Sequence, residues 1–238
     1  MIKKILSQDT LVEQTADYIH LNFSISHQMI SSAVLNGGLV TANHIVNLRV
    51  NTDFKPAENL SDPPDKVLSE FSKSMNWEGV TVGLMTAASM DSFRIIEKSE
   101  QGVNIDILVT SGLSNARRAG DRAEHRLMGI DKVKMGTINI IGITSAILLP
   151  AAMIEALVII TEAKAAAMQQ LKIKSPVSGE IATGTGTDGI VFVNGQKGPT
   201  IKYCGKHTLF GEILARAVIE ALTASINLKS PKPVNSVE

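Results

Sequence analysis

Thr137-Ile138-Asn139-Ile140-Ile141-Gly142-Ile143-Thr144, followed by Pro150-Ala151-Ala152-Met153-Ile154-Glu155, is the stretch on which the fold turns. From Thr137 to Thr161 its only charge is Glu155, so on hydropathy alone it is long enough to span a bilayer. The residues argue otherwise. Ile138, Ile140, Ile141 and Ile143 form a β-branched cluster that favours a strand over Thr137–Ile143. Pro150 suits the first turn of a helix, which runs to Leu171. That helix carries Glu155, Glu162 and Lys164, and each charge near a bilayer centre would cost roughly 2.5–3.5 kcal/mol. A buried strand feeding a buried helix is the better reading.

Working outward, Phe23–Asn51 is rich in β formers and is broken at Asn36-Gly37-Gly38, a turn signal between Met29–Leu35 and Leu39–Val50. The first twenty residues give weak signals, a short strand or a helix. Asp62-Pro63-Pro64 opens a helix with Leu68, Phe71 and Met75 on one face. Val80–Leu84 and Val103–Thr110 read as strands, the second leading into the polar loop Ser111–Asp121. Glu180–Val193 reads as a strand interrupted by glycines. Asn194-Gly195 then signals a hairpin into Thr200–Cys204. Thr208 caps a last helix to about Ile226, with Glu212 in its first turn. The expectation is an α+β fold: a single layered domain over residues 1–228, with a mixed or antiparallel sheet packed by a few helices. Residues 229–238, with Pro231 and Pro233, are expected to be a disordered tail.

Composition narrows the function. In 238 residues, 44% are hydrophobic and 19% charged, ordinary for a soluble protein. The 23 lysines and arginines balance 23 aspartates and glutamates, which argues against nucleic acid as a partner. One cysteine, Cys204, excludes an internal disulfide and suits a reducing compartment. Met1-Ile2-Lys3-Lys4 lacks the apolar stretch of a signal peptide. The expected place is the cytoplasm, away from any membrane, with a homo-oligomer left open.

Gly184-Thr185-Gly186-Thr187-Asp188-Gly189 has the letters of a dinucleotide fingerprint. A strand, Ile190–Val193, follows it where the fingerprint needs a helix, so that reading fails. The glycines still allow close backbone approach to a ligand; the alternative is a bulged edge strand with a polar turn. Gly205-Lys206-His207-Thr208 lacks the first glycine of a phosphate loop. What survives is a cation and an imidazole at a helix N-terminus, where a developing oxyanion would be favoured, or else plain capping. Lys164 falls on a buried helical stripe and must snorkel or pair. Thr137 and Asn139 share a strand face and need partners. The five histidines show no metal-ligand spacing, so neither a metal nor a cofactor of the protein's own is expected. Cys204 reads as a packed, inert thiol.

Together the blocks Ser31–Gly38, Val82–Ala88, Thr110–Asp121, Gly136–Asn139, Thr161–Ala167, Ala182–Asp188 and Lys202–Thr208, closing at Gly211-Glu212, resemble the adenosylcobinamide amidohydrolase (CbiZ) family in the family's order. Ser111 and Cys204 stand where that pattern has small residues such as alanine. The resemblance implies removal of the aminopropanol arm of adenosylcobinamide to leave adenosylcobyric acid for salvage, the cobalt belonging to the substrate. The rim of primary amides on such a corrinoid would be met by asparagine, threonine and bare backbone. Asn36, Asn43, Asn47, Asn115, Asn139, Thr183 and Thr185 supply that character. The substrate-binding set expected is Asn36, Gly37, Gly38, Asn43, Thr86, Asn115, Arg117, Asp121, Lys164, Thr183, Gly184, Thr185 and Gly186. The mechanism expected is amide hydrolysis beside Thr137 and Asn139. His207, oriented by Asp188 or Asp121, is the base that activates a water or a threonine hydroxyl, and Lys206, Asn139 and helix amides hold the oxyanion. A threonine nucleophile acting after chain cleavage is the rival mechanism. The alternatives are a corrinoid-binding module without turnover and a hydrolase of a different amide.

Overall fold

The computed structural model describes residues 2–50, 63–123 and 137–227. The proposed tail therefore lies outside the described residues. A hairpin of β1 (Ile2–Leu6) and β2 (Thr10–Gln14) opens the chain, turning through a 3-10 segment at Ser7–Asp9. Gln8 and Asp9 take positive φ there, 60° and 52°, without a glycine to announce the turn, which is why this hairpin left so little trace in the sequence. The long β3 (Tyr18–Ser31) then pairs on one side with β4 (Gly38–Arg49), as Asn36-Gly37-Gly38 predicted. Helix α1 (Pro64–Ser74) and β5 (Thr81–Thr86) follow, β5 lying parallel to β4. Next come β6 (Arg94–Glu100), β7 (Val103–Ser111) and the two-residue β8 (Ala116–Arg117).

The opening stretch forms β9 (Ile138–Thr144), the short β10 (Ile147–Leu148) and α2 (Pro150–Gln170), with Pro150 in the first turn as expected. After it come β11 (Gly184–Thr185), β12 (Gly189–Val193), β13 (Thr200–Ile201) and α3 (Leu209–Ile226). Among the described residues no helix is long and apolar enough to cross a membrane.

One mixed sheet runs β1-β2-β3-β12-β9-β7-β6, with β4 and β5 continuing from the other edge of β3. The first half of β3 is lined by β2 and the second by β12, and a register shift between Asn22 and His27 bends the strand where the partner changes. The sheet curls, so alternate residues enter different cores. On β9, Ile138 and Ile140 pack under α2 and α3, while Ile141 and Ile143 face the interior of the curl with Leu84 of β5 and Leu108 of β7. Each such side chain contributes roughly 1.5–3 kcal/mol when fully buried. The outer face of β4 and β5 is covered by Leu68 and Phe71 of α1 and by Trp77. His20 stacks on that indole at 3.7 Å, and burial first, then neighbouring His44, push its imidazole down to about 3.

Two expectations about the second half are corrected. Only Gly184–Thr185 and Gly189–Val193 of Glu180–Val193 are strand, because the Asp188 turn divides them. Asn194-Gly195 makes no hairpin: β12 pairs with β3 and β9, whereas β13 pairs with β10. The Asn194 amide is engaged in tertiary bonding, its Oδ1 accepting from Leu148 N at 2.7 Å and its Nδ2 donating to Leu148 O at 3.0 Å. It thus stands in for a neighbouring strand. Asn194→Ala leaves both groups of Leu148 unmet and is expected to cost roughly 2–4 kcal/mol in urea unfolding. A change below about 0.5 kcal/mol would contradict this role.

Candidate functional site

The turn before β12 presents Asp188 to the C-terminal half of α2. Lys164 reaches it from the helix, and the two pair with side chains only 9% and 10% exposed. A buried pair of this kind persists only where further bonds offset lost hydration. Asp188 Oδ1 accepts from Ile138 N at 3.1 Å and Thr185 N at 3.1 Å. It also accepts from Thr185 Oγ1 at 2.5 Å, while Oδ2 takes Thr185 N at 3.0 Å. The local sequence permits this through Gly184, where a Cβ would overlap Asp188 Oδ2 and lie 2.8 Å from Lys164 Nζ. Lys164 therefore pairs rather than snorkels.

A second polar chain starts one residue along β9. Asn139 Nδ2 donates to Asn47 Oδ1 at 2.8 Å and to Met85 O at 2.9 Å, and Asn47 Nδ2 donates to Thr110 Oγ1 at 2.8 Å. A backbone carbonyl can only accept, so the Met85 contact fixes which end of Asn139 is the amine. Both amine hydrogens are thereby used. This corrects the expectation that Asn139 donates to an oxyanion: its remaining atom is Oδ1, an acceptor, 3.4 Å from Thr137 Oγ1. Thr137 donates to Thr187 O at 2.5 Å, tying this chain to the Asp188 turn. Gly189 lies opposite Asn139, and a Cβ there would come within 2.9 Å of its Oδ1. Thr86, at the end of β5, accepts from Ala88 N at 3.0 Å.

The Ser111–Asp121 loop supplies the third wall. Its β8 pairs Arg117 with Gly184 and Ala116 with Thr185. Thr183 N donates to Arg117 O, Thr183 Oγ1 accepts from Ala119 N, and Gly186 N donates to Asn115 O. Asn115, Arg117, Thr183, Gly184, Thr185 and Gly186 are thus brought together. Asp121 sits at the far end of this loop, where Ser175 first, then Ser178 and the Arg118 amide, hold its carboxyl below the usual carboxylate range.

Other expected residues are not brought here. Asn36 Nδ2 is bonded to Thr81 O at the start of β5, four residues before the Met85 carbonyl that Asn139 uses, about 13 Å away at the usual strand rise. Gly37 packs on the Ala33 carbonyl, Gly38 has φ +88°, and Asn43 packs against Gly79. These residues build the β3–β4 turn and its neighbour. The expected Asp–His pair is not made either. His207 is exposed and is bonded to neither Asp188 nor Asp121. Lys206 pairs with Glu162 at 2.5 Å. Glu162 and Lys164 are two positions apart, roughly 200° around the helix, so Lys206 lies on the side of α2 away from Asp188. Thr208 does cap α3, accepting from Gly211 N at 3.1 Å. Cys204 is fully buried; burial, then Glu155, push its thiol up to about 12, which suits an inert group. Thr110, the anchor of Asn47, was not among the expected site residues, although it opens the Thr110–Asp121 block.

A carboxylate, a buried ammonium and a hydroxyl, set beside buried carboxamides and bare backbone of a curled sheet, define the class: a single-domain α/β protein with an amide-rich polar cluster. The profile of the adenosylcobinamide amidohydrolase (CbiZ) family matches residues 3–232, and the chain belongs to that family. It is 30% identical over 207 residues to an adenosylcobinamide amidohydrolase of Methanosarcina mazei, covering 83% of this chain and 90% of that one. It is 32% identical over 240 aligned positions to an uncharacterized protein of Methanocaldococcus jannaschii, MJ1613, covering 93% and 91%. Among solved structures, the PH0078 protein from Pyrococcus horikoshii OT3 superposes with a TM-score of 0.41 at 13% identity, covering 95% of this chain and 82% of that one, a likeness too loose to bear on function.

Proposed function

We propose that the protein hydrolyses the amide joining the aminopropanol arm to the corrin ring of adenosylcobinamide. The products are 1-amino-2-propanol and adenosylcobyric acid, which re-enters cytoplasmic corrinoid salvage. Family membership supports the substrate class. The observation that carries the chemistry is the Asp188 carboxylate, fixed by Lys164 and bonded to a threonine hydroxyl within the Ala182–Asp188 block. Amide cleavage needs a group that removes a proton from the attacking oxygen and returns it to the departing nitrogen. Asp188 is the candidate for both transfers. The Lys164 ammonium balances its charge and adds positive potential where the carbonyl oxygen turns negative. Thr137, through Thr187 O, and the Ile138 amide, through Asp188, hold the turn against β9. Asn115, Arg117, Thr183 and Gly186 offer hydrogen-bonding edges for the corrin amides. The protein needs no cofactor in this scheme, since the cobalt arrives with the substrate.

The test is to incubate the purified protein with adenosylcobinamide and measure free 1-amino-2-propanol. Release with matching formation of adenosylcobyric acid is the expected result. Tight binding without release would make the protein a corrinoid-binding module, and neither binding nor release would point to a different amide.

A further inference from the structure

The attacking oxygen can be named. Among the described residues, several serine or threonine hydroxyls donate to carboxylates: Ser7 to Asp106, Ser89 to Asp91, Ser175 to Asp121 and Thr185 to Asp188. Only Asp188 also receives an ammonium on its second oxygen, and only this pair lies beside the buried carboxamide chain. The carboxylate is thus held between the hydroxyl on one side and a fixed positive charge on the other. Thr137 is no competitor for the role, because its hydroxyl donates to the Thr187 carbonyl, which cannot take up a proton at any working pH. Thr185 is also partly exposed and is followed by exposed Gly186 and Thr187, so a substrate can approach it from solvent, whereas Lys164 cannot be reached that way. Its backbone amide is bonded to both Asp188 oxygens, which holds the residue against its base.

We infer that Thr185 is the nucleophile, and that cleavage passes through an ester between its Oγ1 and the corrin carboxyl; this rests on the amidohydrolase reading above. As Thr185 Oγ1 bonds to the amide carbon, its proton moves to Asp188. Collapse of the tetrahedral intermediate breaks the C–N bond, and Asp188 returns the proton to the departing amine nitrogen. Water then loses a proton to Asp188 and adds to the ester. Breaking of the ester C–O bond gives the acid, and the Asp188 proton restores the threonine hydroxyl. One water is consumed and Lys164 stays charged throughout.

The experiment uses the full-length protein, adenosylcobinamide and added hydroxylamine. An ester partitions between water and the added nucleophile, so wild type should yield a corrin hydroxamate in proportion to hydroxylamine, with aminopropanol release unchanged or faster. Thr185→Val should lower kcat by at least ~1,000-fold with KM altered little, while Thr185→Ser keeps activity within about tenfold. If wild type releases aminopropanol but forms no hydroxamate, or if Thr185→Val retains more than about a tenth of wild-type kcat, the nucleophile is water and the inference falls. The hydroxamate readout needs no variant and decides the matter even if Thr185→Val does not fold. A wild type that releases no aminopropanol would instead sink the functional reading itself.

Discussion

Asp188→Asn is expected to lower turnover of adenosylcobinamide by about a hundredfold or more, while His207→Ala stays within about twofold of wild type. The amide that replaces the carboxylate cannot accept the proton and leaves the Lys164 ammonium buried without its counter-charge. His207 is exposed and bonded to neither candidate aspartate, so its removal deletes nothing that reaches the Asp188 turn. Steady-state release of 1-amino-2-propanol measures both variants, and urea unfolding separates a catalytic loss from a folding loss. A hundredfold loss in His207→Ala with full activity in Asp188→Asn would restore the histidine to the centre of the mechanism.

Gly184→Ala is expected to cost about 3–5 kcal/mol of stability and to abolish most turnover. The new methyl would occupy the space of Asp188 Oδ2 and lie 2.8 Å from Lys164 Nζ, so the ion pair must separate inside the protein. Neither partner has an easy retreat, because the carboxylate is also pinned by Ile138 N and Thr185 N. Gly205→Ala is the control: a Cβ there meets nothing within 4 Å, and its unfolding midpoint should barely move. Equal stability for the two variants in guanidinium unfolding would show that the pair is not the constraint described.

Much of the fold was legible because it was written in short-range pattern. The β-branched cluster of β9, Pro150 in the first turn of α2, the Asn36-Gly37-Gly38 turn and the Thr208 cap each act within a few residues. Where the sequence misled, the deciding contact was remote. Asn194-Gly195 has hairpin chemistry, but Leu148 claims the asparagine side chain from 46 positions away. The Asn139 amide lies one residue along β9 from the Asp188 contact, yet its polarity is set by Met85 O and Asn47, contacts that no local pattern encodes. Asp188 and His207 looked like partners because both border the region of the supposed hairpin. Once β12 pairs with β3 and β9 instead, that proximity vanishes, and Lys164, 24 positions upstream, takes the place.

The most direct measurement is a crystal structure of Asp188→Asn bound to adenosylcobinamide. The account predicts the arm's amide carbon about 3–3.5 Å from Thr185 Oγ1, with corrin side-chain amides against Asn115, Thr183 and Gly186. An arm lying instead along Lys206 and His207, with the Asp188 turn empty of substrate, would contradict it.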